Sequence, residues 1–170
     1  GVVYAMAVLA DGTGEALYLG GNFTHANGIQ VNYVARWNPC TETWSAVGSG
    51  LGDQVYGLAV HDDGAGKALY AGGVFTKAGD DSIRYRIARW DPFSVSWQPV
   101  GPGFDGSVNA LASVDEGGVN ALYAAGGMSC VVETSICSPG IMRWNGTSWS
   151  GVGPPNAPGL DGDGIALCAL

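Results

Sequence analysis

Short apolar runs punctuated by Gly, Asp and Pro dominate this chain, and the runs recur as near copies of one another. Ala16-Leu17-Tyr18-Leu19-Gly20-Gly21 returns as Ala68-Leu69-Tyr70-Ala71-Gly72-Gly73, and again as Ala121-Leu122-Tyr123-Ala124-Ala125-Gly126-Gly127. The period is about 52 residues, within the range of repeat architectures. Three further markers keep the same order. Ala35-Arg36-Trp37 is followed by Ala88-Arg89-Trp90 and Met142-Arg143-Trp144, Trp44 by Trp97 and Trp149, and Val47-Gly48 by Val100-Gly101 and Val152-Gly153. An apolar segment precedes each Leu-Tyr run, beginning at Val3, Val55 and Val108, and Ile165 to Leu170 is read as a fourth copy.

Each unit therefore predicts four short strands: the apolar run, the Leu-Tyr-Gly-Gly run, the Arg-Trp run, and the run opening on the second Trp. Asp11-Gly12, Asp63-Gly64 and Glu116-Gly117-Gly118 supply a turn after the first strand. Asn38-Pro39, Asp91-Pro92 and Asn145-Gly146 supply one after the third. Along the first strand Val3, Ala5 and Ala7 alternate with Tyr4, Met6 and Val8, so neither face is polar and both should be covered. Twisted four-stranded sheets stacked face to face around an axis give a first strand that setting. The fold class is all-β, a run of β-propeller blades that are each a four-stranded antiparallel meander of about 52 residues. Residues 1–54 form blade 1, 55–107 blade 2 and 108–164 blade 3, with 165–170 the first strand of a fourth. Because usual rings have ~4 to 8 blades, something beyond these units is expected to complete the ring. The candidates are further blades of one polypeptide, or a homo-oligomer joined through the strand 165–170.

Composition agrees with this class. The 29 glycines and 8 prolines fit many turns better than long helices, and 46% hydrophobic residues exclude wholesale disorder. Charged residues make up 13%, about half the usual share, and the net charge is −8. No Lys/Arg cluster could track a phosphate backbone, and no stretch approaches the ~20 apolar residues of a membrane span. Neither nucleic acid binding nor membrane insertion is expected.

The paired glycines followed by Trp37-Asn38-Pro39-Cys40-Thr41-Glu42-Thr43-Trp44 resemble a kelch repeat, in which a glycine doublet ends the second strand and two aromatics follow about one hairpin apart. Gly72-Gly73 with Trp90 and Trp97, and Gly126-Gly127 with Trp144 and Trp149, continue the resemblance across nearly the whole chain. It implies a propeller and says little of function. Two departures mark a divergent, kelch-like subgroup: Trp stands where kelch repeats usually have Tyr, and the third unit carries an extra Ala and a cysteine loop. Gly20, Gly21, Trp37, Trp44, Gly72, Gly73, Trp90, Trp97, Gly126, Gly127, Trp144 and Trp149 are thus structural repeat positions. Their tryptophans serve as packing between blades rather than as sugar platforms.

Candidate chemistry is sparse. A hydrolytic triad needs an imidazole base, and the two histidines, His25 and His61, have no counterparts in other units and read as ordinary surface or loop residues. They also cannot supply the His and Tyr ligand set of the copper radical oxidases that some kelch-type propellers carry. Trp144-Asn145-Gly146-Thr147-Ser148-Trp149 resembles the end of a sialidase Asp-box but lacks its Asp. The first-turn carboxylates Asp11, Asp62-Asp63 and Asp115-Glu116 are better turn formers than calcium ligands. The arginine before each third-strand Trp is expected to have a structural hydrogen-bonding or cation–π role. No enzyme activity, metal or cofactor is expected.

Cys130 and Cys137 bracket a short loop and are expected to form a disulfide, while the states of Cys40 and Cys168 are open. Asn22-Phe23-Thr24 and Asn145-Gly146-Thr147 are glycosylation sequons. These features predict an extracellular or cell-surface, non-enzymatic scaffold for adhesion or assembly, such as a surface layer or fibre. The alternative is a carbohydrate- or protein-recognition propeller of a larger secreted carbohydrate-active enzyme, binding glycans at loops such as 22–32 or 128–139.

Overall fold

The structure, a computed structural model, describes residues 1–153 and Leu160. The strand read at 165–170, with Cys168, lies outside the described residues. The first sheet contains β1 (Val2–Ala10), β2 (Glu15–Asn22), β5 (Val34–Asn38) and β6 (Thr43–Ala46), in that order, and a small hairpin of β3 (His25–Ala26) and β4 (Ile29–Gln30) projects from the β2–β5 connection. The second contains β7 (Val55–Asp62), β8 (Lys67–Gly73), β9 (Ile87–Asp91) and β10 (Ser96–Pro99). The third contains β11 (Ala110–Asp115), β12 (Asn120–Ala125), β13 (Ile141–Trp144) and β14 (Trp149–Gly151). All pairings are antiparallel between successive strands of a sheet, so each sheet is a meander, and the chain folds as an all-β run of propeller blades.

Local chemistry fixes the meander. In the β1–β2, β7–β8 and β11–β12 turns the chain reverses through Gly12 and Gly14, Gly64 and Gly66, and Gly117 and Gly118, all at positive φ that a side chain would resist. The β5–β6 and β13–β14 turns close on a side-chain carbonyl. Asn38 Oδ1 accepts from the Cys40 and Thr41 amides, and Asn145 Oδ1 from those of Thr147 and Ser148. The residue before each third strand is also left-handed, at Tyr33 (φ 68°), Arg86 (φ 67°) and Gly140 (φ 81°). Its carbonyl accepts from the amide of Gly21, Gly73 or Gly126 in turn.

Register reveals what the repeated glycines do. Ala5 pairs with Gly20, Gly57 with Gly72, and Ala110 with Ala125. The doublet positions of the third blade are therefore Ala125 and Gly126, and Gly127 falls in the loop beyond; the extra Ala of the sequence is a substitution in an unshifted strand, which corrects the Gly126-Gly127 assignment. At the second position a Cβ would lie 2.0 Å from a backbone carbonyl oxygen at Gly21 and Gly73, and 2.1 Å away at Gly126. At the first it would meet the next blade: 2.6 Å from Val55 at Gly20, and 2.4 Å from Val108 at Gly72.

Two apolar cores lie between successive blades. One gathers Tyr18, Val34, Val47, Val55, Leu58, Leu69, Trp90 and Trp97; the other Tyr70, Ile87, Val100, Val108, Leu111, Leu122, Met142, Trp144 and Trp149. Strand β7 lies beside both β1 and β11 and is covered on both faces, as a first strand should be. Strand β1 departs from that expectation, with Val2, Val3, Tyr4, Met6 and Val8 exposed, because its outer side faces no blade among the described residues. For the same reason Trp37 and Trp44 are only half-buried, whereas Trp90, Trp97, Trp144 and Trp149 are buried.

Candidate functional site

The antiparallel meander sends the two ends of every blade into different chemistry. At one end lie the tight turns β1–β2 and β5–β6 and their equivalents. At the other lie the long β2–β5 connections and the crossings to the next blade.

The turn end is held by a repeated trio. Tyr18 Oη donates to Asp11 Oδ2 at 2.7 Å and Arg36 Nε donates to the same oxygen at 2.6 Å, while Thr13 donates to Oδ1 through both its amide and its hydroxyl. In blade 2, Tyr70 Oη donates to Asp63 Oδ2 at 2.8 Å and Arg89 Nε approaches that oxygen at 3.3 Å, an ion pair too poorly aligned for a hydrogen bond. In blade 3, Glu116 receives Tyr123 Oη together with a forked approach from Arg143, whose Nε lies 3.1 Å from both carboxylate oxygens. Burial pushes the Asp11 carboxyl up, but the bonds from Arg36, Tyr18 and Thr13 outweigh it and hold the group well below the usual carboxylate range. Asp63 is lowered in the same way, with Tyr70 the strongest opposing bond. Glu116, held by Arg143 and Tyr123, falls to about 2. Burial and the adjacent carboxylate raise Tyr18 and Tyr70.

These carboxylates are the acidic first-turn residues of the sequence, and their oxygens go to tyrosine and arginine. Asp62 Oδ1 accepts two amides of its own turn, at Gly64 and Gly66. Among the described residues no group of three or more His, Cys, Asp or Glu is placed to hold a metal ion. Arg36 and Arg143 have the structural hydrogen-bonding role expected of them, Arg89 makes an ion pair, and the partner of each is the turn carboxylate of its own blade. Sequence reasoning missed the tyrosines, although a signal was present: each follows its carboxylate by seven residues.

The histidines part company. His25 is exposed on the β3–β4 hairpin, with Nδ1 3.0 Å from Thr24 Oγ1. His61 is 1% exposed, which corrects its reading as a surface or loop residue. It occupies the buried face of β7, where Nδ1 lies 2.8 Å from Ser113 Oγ, the ring meets Tyr70 edge-on, and Nε2 has no partner. Burial lowers its pKa. Ser113 belongs to β11 of the next blade, so His61 serves the contact between blades 2 and 3.

At the loop end the blades are stitched together. The crossing from blade 1 runs along the blade 2 loop, with Gly52 donating to the Lys77 carbonyl and Gly79 to that of Gly50. The crossing from blade 2 does the same through Phe104 and Val131, and Asp105 Oδ1 accepts from the Ser129 and Cys130 amides. A disulfide joins Cys130 to Cys137 around Val131, while Cys40 is an exposed free thiol in the β5–β6 turn. A polar crevice of about 380 Å³ opens between the loops of blades 1 and 2, bordered by Asn32, Tyr33, Asp53, Thr76, Lys77 and Asp81. Of the two sequons, Asn22 is exposed at the loop end and Asn145 is exposed at the turn end, so the structure does not bring them together.

No helix among the described residues is long and apolar enough to cross a membrane. A family profile described as the Rax2 C-terminal beta propeller domain matches residues 1–170. Polarized growth protein rax2 of Schizosaccharomyces pombe is 31% identical over 145 residues, a match covering 81% of this chain and 12% of that protein. The chain thus corresponds to about an eighth of the length of that relative. Three stacked four-stranded meanders and a family match running through all of them lead to one assignment: the chain belongs to the Rax2 C-terminal beta propeller domain family.

Proposed function

We propose that this chain is part of a non-enzymatic propeller scaffold, built from a divergent kelch-like repeat, that works outside the cell or at its surface and presents its loop end for adhesion or assembly during polarized growth. One observation carries this reading: the chemistry-bearing side chains that recur in every blade are spent on holding the blades. The carboxylates, tyrosines and arginines meet one another, and the indole N–H groups of Trp97 and Trp149 donate to the preceding blade. The loop ends differ from blade to blade, with a hairpin in the first, an acidic loop in the second and a disulfide loop in the third. The disulfide supports an oxidising compartment, and the name of the relative supports polarized growth as the process. Further blades, or a second copy joined through 165–170, are the proposed partners in completing the propeller.

The test is replacement of the full-length protein in its host by a version with the 129–139 loop exchanged for a short Gly-Ser linker. Misplaced growth sites with protein level and secretion unchanged are the expected outcome; normal placement with every loop exchanged in turn would remove the scaffold reading. A second reading, carbohydrate recognition within a larger secreted enzyme, is favoured by the polar crevice between blades 1 and 2. A glycan array on the full-length protein separates the two. Binding that disappears in Asp53→Ala supports recognition, and silence on every glycan removes it.

A further inference from the structure

A cleft of about 400 Å³ lies at the turn end between blades 2 and 3. It is bordered by Asp62 and Gly66 around the β7–β8 turn, Gly118, Val119 and Asn120 around the β11–β12 turn, and Asn145 of the β13–β14 turn. That size falls within the ~300 to 1,000 Å³ of small-molecule sites. A Cβ at Gly64, Gly66 or Gly118 would meet nothing within 4 Å, and Val119 is 57% exposed, so the rim has room for a bulky group. The two blades are close here: a Cβ on Gly146 would stand 3.0 Å from the Asp63 carbonyl oxygen.

Asn145 opens the triplet Asn145-Gly146-Thr147, and blade 1 shows that the turn itself needs no sequon. Asn38 Oδ1 accepts from two turn amides as Asn145 Oδ1 does, but Pro39 and Cys40 follow it and make no acceptor site. In blade 3 the place of the proline is taken by Gly146 at φ 94°, and Thr147 Oγ1 donates to Asn145 Oδ1 at 2.9 Å. With Oδ1 committed to its own turn, Nδ2 is directed away from that turn and makes no hydrogen bond among the described residues. The Asn22 sequon lacks this arrangement, since Thr24 Oγ1 lies 3.0 Å from His25 Nδ1.

We propose that Asn145 carries an N-linked glycan whose first sugar lies in this cleft and bridges the turns of blades 2 and 3. Transfer joins Nδ2 to the anomeric carbon of an oligosaccharide activated as a polyprenyl diphosphate. The new C–N bond replaces the C–O bond to phosphate, the diphosphate leaves, and the amide gives up one proton to a base. The sugar next to the protein is an uncharged N-acetylhexosamine. Its apolar ring face suits Val119, and its hydroxyl and acetamido donors suit Asp62 Oδ2, because Asp62 Oδ1 already accepts from the Gly64 and Gly66 amides. Asp62, Asp63, Asp115 and Glu116 make the surroundings acidic, which favours a neutral donor-rich group and repels an anionic one. Neither Asn145, Val119 nor Asp62 belongs to the carboxylate–tyrosine–arginine trio, so the seat leaves the bonds that close each meander intact. The inference rests on the proposed location outside the cell, because glycan transfer of this kind belongs to secreted chains.

The test uses the full-length protein from its host. Mass spectrometry of the peptide containing Asn145 is expected to show a glycan, which an endoglycosidase trims to a single sugar. Amide hydrogen exchange then reads the seat. Residues 62–66 should exchange on the order of 5-fold more slowly in the intact and one-sugar forms than in Thr147→Ala, which keeps Asn145 but loses the sequon. Thr147→Ser keeps the sequon and should keep the slow exchange. Val119→Ser should quicken 62–66 in the glycan-bearing protein and leave Thr147→Ala as it was, a difference that a role of Thr147 in the turn alone does not produce. A bare Asn145 overturns the inference, and so does a one-sugar form that exchanges at the Thr147→Ala rate. Glycans at other sequons with Asn145 bare leave the location outside the cell standing. A protein with no glycan anywhere and with Cys130 and Cys137 reduced removes that location as well.

Discussion

The notch at Gly72 allows a direct test of how the blades are spaced. Gly72→Ala adds a methyl 2.4 Å from Val108 Cγ1 and 2.9 Å from Val108 Cβ. Normal carbon contacts are ~3.5 to 4.0 Å, so more than 1 Å of movement is demanded of a side chain that is fully buried. Overpacking of this kind costs about 1 to 3 kcal/mol, offset by under about 1 kcal/mol from the stiffer unfolded chain. Val108→Ala alone removes two buried methyl groups and leaves a cavity, at a cost of about 2 kcal/mol. In the double variant the new methyl enters the space that the valine vacates. Truncation removes the Cγ1 contact but keeps Cβ 2.9 Å from the new methyl, so the pair should cost less than the sum of the single variants, with a coupling energy of about 1 kcal/mol. Urea unfolding followed by tryptophan fluorescence measures it, since Trp144 and Trp149 share the affected core. Gly73→Ala supplies the control: its Cβ would lie 2.0 Å from the Gln54 backbone oxygen, which no side-chain truncation relieves. Strict additivity of Gly72→Ala with Val108→Ala would refute the notch-and-knob account.

Four other outcomes follow from the geometry. Asp11→Ala strands the Tyr18 hydroxyl and the Arg36 guanidinium and should cost about 2 to 3 kcal/mol, against about 1 for Tyr18→Phe, while the exposed Glu116→Ala should cost less than Asp11→Ala; denaturant midpoints rank them. His61, lowered by burial, contributes stability that is present above its unfolded pKa of ~6.5 and is lost as pH falls below it, so the urea midpoint should drop between pH 7.5 and 5.5 in the native chain and stay level in His61→Phe. Val95 is β-branched, exposed and left-handed at φ 52°, and Val95→Asn should raise the midpoint by about 0.5 to 1 kcal/mol; an unchanged or lower value would show that no strain resides there. Cys130→Ser with Cys137→Ser should lose about 2 to 3 kcal/mol of loop-closure stabilisation and open 131–136 to protease, with tryptophan emission unchanged.

Much of this architecture was legible because a repeat multiplies weak signals. One Gly-Gly or one Trp says little, but four markers in a fixed order define four strands and their turns. The meander of each sheet follows the segments read from the Leu-Tyr, Arg-Trp and second-Trp runs. What stayed hidden were relations across space. The Leu-Tyr tyrosines were repeat markers without a partner, because alternation cannot show that Tyr18 Oη ends beside Asp11. The third doublet was placed one residue late because identity favoured Gly126-Gly127, while register depends on pairing of Ala110 with Ala125. His61 was assigned to the surface from its neighbouring turn. Its burial comes from β11 of the next blade, where Ser113 stands 52 residues away.

The two ends of the blades are under different physical demands, and this explains where variation collects. At the turn end a carboxylate, a tyrosine and an arginine must meet within one sheet. A change there exposes a buried hydroxyl or strands a charge, and the trio persists with only Asp-to-Glu exchange across Asp11, Asp63 and Glu116. Between blades the demand is steric, and it is met by glycine at Gly20 and Gly72. At the loop end the crossing strands pair through backbone atoms, as Gly52 with Lys77 and Phe104 with Val131, and backbone pairing leaves the outward side chains free to differ. One such end carries a hairpin, the next Asp80 and Asp81, the last a disulfide. A ligand surface built there costs the blades little, whereas one built at the turn end would compete with the bonds that hold each meander closed.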